Sequence, residues 1–155
     1  LAAVLSRPPA SPYDTFMIDA GEGEGVVVGN QVTALGVPVG VVERVFVGSS
    51  RVLLYSAPGV SIFVTLPAQE LTIEAMGQGV GNFVAVVPRE SGVSVGDSVV
   101  LPGLTPALFA TVQSVSGAPA DPFQTVRFKT PVNISEVRFV EVLRGTSVGV
   151  PVHTP

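Results

Sequence analysis

The chain has 155 residues, of which 46% are hydrophobic and 13% charged, and its net charge is −4. That balance excludes a solvated disordered chain, and no apolar run reaches the roughly 18 to 20 residues a spanning helix needs. Cysteine is absent, lysine occurs once (Lys129) and the arginines are scattered, which excludes a disulfide framework, a thiolate nucleophile and the basic stripe of a nucleic-acid binder.

Valine is the commonest apolar residue, and its β-branched side chain favours strands. Residues 1–5 form a short apolar segment, followed by a proline-rich extended stretch over 7–12. Strands are expected over 15–20, 31–35, 39–47, 51–55 and 60–66, separated by glycine-bearing turns at 21–25, 29–30, 36–38, 48–50 and 57–59. Residues 68–76 are the most polar stretch and read as one helical turn or an edge strand. Further strands are expected over 83–87, 98–101, 108–115, 123–129 and 136–143, and a frayed tail over 145–155. About a dozen short strands at this spacing define an all-β sandwich or barrel. The change of character at Pro67 divides the chain into two small β units, 1–66 and 67–144, with the last strand free to return to either.

Motifs that carry chemistry are sparse. Gly92-Val93-Ser94-Val95-Gly96 and Gly145-Thr146-Ser147-Val148-Gly149 match the G-x-S-x-G of a hydrolase nucleophile elbow, yet neither is followed by a helical pattern. A serine hydrolase built on Ser94 or Ser147 would depend on His153, the only histidine, oriented by Asp97 or Asp121. The glycine-rich runs 21–25 and 77–81 lack the helix start of a phosphate cradle and read as hairpin turns. Glu22 and Glu24 with Asp19 could attract a surface calcium ion, but a solvated acidic turn is the simpler reading. Glu43, Arg44 and Arg51 sit close together on a hairpin formed by 39–45 and 51–55, where ion pairing on the solvent face is expected. No metal or cofactor site is expected.

Several ordered pieces of the sequence resemble the rod shape-determining protein MreC family. Ile18-Asp19-Ala20-Gly21, Gly25-Val26 and Gly29-Asn30-Gln31-Val32 are similar to its I-D-x-G … G-V … G-x-x-V opening. Residues 36–45 followed by Ser49-Ser50-Arg51-Val52-Leu53-Leu54 are similar to its G-x-V-G-x-V … S-S-x-V-x-L-L hairpin. Val95-Gly96-Asp97-Ser98-Val99-Val100 with Gly103-Leu104 matches its G-D-x-V-V strand and the turn after it. The segment 105–111 departs from the family, being shorter and lacking its glycines.

The resemblance implies two small β-barrels set somewhat as in a chymotrypsin-type protease, without the triad and without catalysis. It implies an N-terminal membrane helix and coiled coil upstream of Leu1, and hence a place on the extracytoplasmic, periplasmic face of the cytoplasmic membrane. It also implies self-association as dimers or filaments. The implied partners are the elongation machinery: the transpeptidase penicillin-binding protein 2, MreD and RodZ. Function would then reside in surfaces, through strand edges open to a partner strand or apolar patches on a charge-poor exterior. Phe46, Tyr55, Phe63, Phe83 and Phe109 are the candidate contact residues, each with a place in the core as the competing reading. A third reading is a β-barrel adaptor of an envelope transport assembly, which would carry a lipoyl-like hairpin beside a coiled coil.

Overall fold

The computed structural model of the chain describes residues 1–7, 15–102 and 107–145. The strands are β1 (Ala2–Arg7), β2 (Thr15–Ile18), β3 (Gln31–Ala34), β4 (Val37–Val45), β5 (Ser50–Leu54), β6 (Ser61–Leu66), β7 (Leu71–Gly79), β8 (Asn82–Pro88), β9 (Ser98–Leu101), β10 (Ala107–Ser116), β11 (Phe123–Lys129) and β12 (Phe139–Leu143). Helix among the described residues is limited to short 3-10 turns. The strands pair antiparallel into two closed barrels, β1-β12-β3-β4-β5-β2 and β10-β11-β8-β7-β6-β9. The all-β, double-barrel expectation is met.

Alternation builds both barrels. In β6, Ile62, Val64 and Leu66 are buried while Ser61, Phe63 and Thr65 face outward. In β11, Val126 and Phe128 fill the interior while Arg127 and Lys129 stand outside. The β4–β5 hairpin breaks the alternation because Pro38 through Val42 and Val52 through Leu54 are buried on both faces. One face fills the first barrel and the other is covered by the second, against which β4 packs through β10.

The division of the chain differs from the expected boundary near residues 66–70. β6 pairs with β7 along its whole length, so Pro67 marks a turn inside the second barrel. The 3-10 turn Pro67–Gln69 ends on Glu70 at φ 52°, which concentrates polar residues there. The passage between barrels lies earlier, at 56–60, and the C-terminal β12 returns to close the first barrel between β1 and β3. The polar stretch 68–76 begins in that one helical turn, at residues 68–69, and its remainder is not an edge strand. It is the long strand β7, held by β6 on one side and β8 on the other, with Leu71, Ile73 and Ala75 alternating inward.

Two motif glycines have steric causes. A Cβ on Gly40 would overlap the Leu53 carbonyl across the hairpin, and one on Gly21 would overlap the backbone of Phe46 and Ser49. The run 21–25 is a 3-10 turn docked on the β4–β5 turn, where Glu22 N–H donates to the Phe46 carbonyl at 2.8 Å. It joins β2 to β3, strands that are not neighbours, so it is not a hairpin turn.

Candidate functional site

The five aromatic candidates separate into two groups. Tyr55, Phe83 and Phe109 are buried and do not offer a contact surface. They form a chain of rings across the junction of the barrels. Tyr55, just past β5, meets Phe109 edge to face at 5.8 Å; Phe109 meets Phe83 at 4.9 Å; and Phe83 stacks on Phe128 at 5.3 Å. The Tyr55 hydroxyl accepts a 3.4 Å hydrogen bond from Gln31 Nε2, and burial pushes its pKa above the usual 10, with the Gln31 bond opposing. Ser56 binds the two units further: its hydroxyl accepts from Gly81 N–H at 2.9 Å and its carbonyl from Gly79 N–H at 2.7 Å.

Phe46 and Phe63 remain at the surface. Phe46 is 38% exposed beside the β4–β5 turn, with the Arg44 guanidinium 5.3 Å above its ring. Its neighbours Glu43 and Arg51 make the expected ion pair at 2.6 Å, with Glu43 bulged out of the ladder. Phe63 is 61% exposed on the second barrel. Met76, Val86 and Phe123 are also exposed on the outer side of the same run of strands, β6-β7-β8-β11.

A further apolar surface on the first barrel escaped the reading of the sequence. Leu35, 96% exposed, and Phe139, 73% exposed, line a groove of about 400 Å³ with Val137 and Arg138. Leu35 has φ 52° and is followed by Gly36 at φ 81°, the two positive angles of a type I′ turn between β3 and β4. That turn favours asparagine or glycine, so an exposed leucine there is doubly unexpected. Phe139 could have been placed from its phase: it alternates with buried Val140 and Val142 and shares parity with Glu141.

Among the described residues the strand-edge route is not offered. Both sheets close on themselves, and closure removes the edges to which a partner strand would add. Contacts therefore fall to barrel faces and turns.

The residues proposed for hydrolysis are placed as turn elements where they are described. Ser94 is exposed and its N–H donates to Asp97 Oδ2 at 2.9 Å; the same oxygen accepts from Gln69 Nε2 at 3.0 Å. A strand, β9, follows instead of the helix an elbow requires. Asp121 lies in the β10–β11 loop, where its carbonyl accepts from Arg89 Nε at 2.6 Å. Ser147, His153 and most of the tail 145–155 lie outside the described residues. Glu24 is occupied as a cap, its Oε2 accepting from Gly21 N–H at 2.7 Å, and no group of three potential metal ligands occurs among the described residues. No helix among the described residues is long and apolar enough to cross a membrane.

Two closed six-stranded barrels joined by an aromatic junction, with apolar residues on their outer faces, define an all-β double-barrel protein. The family described as rod shape-determining protein MreC, barrel core, matches residues 4–144, and the chain belongs to that family. Among solved structures, the chain is similar to MreC from Pseudomonas aeruginosa at 29% identity and TM-score 0.81, covering 92% of this chain and 97% of that one. Two more distant structures share the fold. MreC from Listeria monocytogenes is 21% identical with a TM-score of 0.79, over 97% of this chain and 78% of that one. A complex between penicillin-binding protein (PBP2) and MreC from Helicobacter pylori gives 11% identity and a TM-score of 0.62, over 91% of this chain and 96% of that one. No curated protein matches the chain.

Proposed function

We propose that the chain is a non-catalytic scaffold of cell shape that self-associates and positions peptidoglycan-elongation enzymes outside the cytoplasmic membrane, anchored by a segment upstream of Leu1. Membership of the MreC family carries this reading. The outer faces of the barrels fit it, because Phe63, Val86 and Phe123 on one barrel and Leu35 and Phe139 on the other are large, apolar and exposed. Burying such side chains between proteins supplies the central part of an interface. The H. pylori relative forms a complex with PBP2, which supports penicillin-binding protein 2 as a partner here. MreD and RodZ are the further partners of the same machinery.

The experiment is binding of the chain to the extracytoplasmic part of penicillin-binding protein 2, followed by interferometry. Saturable binding, weakened about tenfold or more by Phe63→Asp or by Leu35→Asp together with Phe139→Asp, supports the reading. Absence of binding by a folded chain counts against the partner. Labelling of Ser94 by a fluorophosphonate probe, abolished by Ser94→Ala, would favour a serine hydrolase instead.

A further inference from the structure

We propose that the outer face of the second barrel carries a binding groove for an extended acidic peptide whose carboxylates lie two residues apart. The groove has a volume of about 430 Å³ and is lined by Gln78, Asn82, Gln113, Ser114, Arg127 and Lys129. That volume falls within the range of sites that hold small molecules or short peptide segments. The trough adjoins the apolar face that carries Met76, Val86 and Phe123, since Met76 pairs with Val84 and Val84 with Arg127 in one row across the strands, and it differs from that face in carrying the cations.

Its shape comes from two bulges. The β7–β8 ladder shifts register between Gly77 and Gly79, and the β10–β11 ladder shifts between Val112 and Ser114. The residue left out of pairing is a glutamine in each case, Gln78 on one side and Gln113 on the other. Bulges bend a strand and re-aim its side chains, so two of them flanking the β8–β11 pair border a trough. Lys129 pairs with Asn82 along its floor, and Arg127 pairs with Val84.

Charge singles the trough out. From β6 to β11 the chain carries five carboxylates, Glu70, Glu74, Glu90, Asp97 and Asp121, against three cations, Arg89, Arg127 and Lys129. Arg89 is committed to the carbonyls of Asp121 and Ala118 in the β10–β11 loop. Arg127 and Lys129, exposed and side by side in phase on β11, make no ion pair or side-chain hydrogen bond among the described residues. Two unpaired cations facing one trough of an acidic protein attract a dianionic partner and repel little of it.

Spacing and lining select a peptide. Residues i and i+2 of a strand are roughly 6.6 Å apart, and carboxylates on alternate residues of an extended peptide share that interval. Gln78 makes only a 3.5 Å contact with its neighbouring Gly77 carbonyl, and Gln113 has no side-chain hydrogen bond among the described residues. Each side-chain amide offers a donor and an acceptor, the complement of a peptide group. The aromatic rings at the groove, Phe83 and Phe128, are buried and stacked on each other, so no exposed ring platform is offered to a sugar.

The test uses fluorescein-labelled hexapeptides blocked at both ends, with Glu-Val-Glu at the centre, titrated with the full chain at low salt. Saturable binding is expected, with amide shifts in nitrogen–proton correlation spectra centred on Gln78, Asn82, Gln113, Arg127 and Lys129. Replacing both glutamates by glutamine, or the protein's cations through Arg127→Gln with Lys129→Gln, lowers affinity about tenfold or more. Peptides with adjacent glutamates, or with two residues between them, bind more weakly than the alternating one. Equal affinity for all three spacings, shifts centred elsewhere, or binding by a carboxylated sugar but not the peptide would overturn the proposal. Should the double variant misfold, raising salt from about 50 to about 500 mM on the native chain must itself weaken binding, and salt-insensitive binding overturns the proposal equally.

Discussion

Tyr55 of the first barrel meets Phe109 of the second edge to face, with ring centroids 5.8 Å apart and planes at 71°. The contact is the first link of a run of rings that reaches Phe128 inside the second barrel. Rings at these separations add about 0.5–1.5 kcal/mol beyond the area they bury, so the junction fixes how one barrel sits on the other. Tyr55→Ala should destabilise the chain by about 3–5 kcal/mol, whereas Tyr55→Phe, which loses only the long bond to Gln31, should cost less than about 1 kcal/mol. A Tyr55→Ala, Phe109→Ala double-mutant cycle in urea should return a coupling of about 0.5–1.5 kcal/mol, and additive effects would show that the rings act separately.

The same tyrosine sets an alkaline limit. Its folded pKa is raised above the ordinary 10.0 chiefly because burial disfavours the phenolate. Its contribution is fully present below the unfolded value and is lost as pH rises from there through the higher folded value. Urea midpoints for the native chain should therefore fall above about pH 10, and Tyr55→Phe should flatten that part of the decline. Equal declines in both proteins would show that other groups govern the alkaline limb.

Gly40 lies where the hairpin backbones come closest, and any Cβ there meets the Leu53 carbonyl. Gly40→Ala should cost about 2 kcal/mol or more. Gly48, at an open turn with room for a methyl group, serves as the control and should tolerate alanine within about 0.5 kcal/mol. Thermal melts of the two variants check the difference.

Much of this was legible from phase alone. Phe63 sits between Ile62 and Val64 and keeps step with Ser61 and Thr65, so its outward placement is written in its neighbours. Phe83 is harder, because both faces of β8 carry apolar residues and only Asn82 marks the outer one. The hairpin motif was readable because Gly40 and the serines at 49 and 50 answer local steric demands; the Ser50 hydroxyl donates to the Ala20 carbonyl at 2.7 Å. The barrel boundary was hidden because a proline and polar residues mark turns wherever they occur, within a barrel as much as between barrels. The return of β12 to β1 and β3 depends on contacts more than a hundred residues apart, which no local pattern encodes. The acidic-peptide groove was equally out of reach, since a bulge becomes visible only when two strands are aligned.

Leu35 separates stability from function. A leucine at positive φ costs about 1 kcal/mol or more relative to residues that favour this region. Leu35→Asn should raise the unfolding free energy by about 1 kcal/mol and, if the groove it shares with Phe139 is a contact surface, weaken association at the same time. Paired urea titrations and binding isotherms read both quantities. A gain in stability with unchanged association would remove this groove from the scaffold's working surfaces.

Association itself is the property on which the scaffold reading stands. Sedimentation velocity over a wide concentration range, with the native chain beside Phe63→Asp and Phe139→Asp, measures it directly. The expected result is a sedimentation coefficient that climbs with concentration toward dimers or longer assemblies and falls back in at least one variant whose melting is unchanged. A native chain that sediments as a monomer at every concentration, and stays so when mixed with penicillin-binding protein 2, contradicts the account.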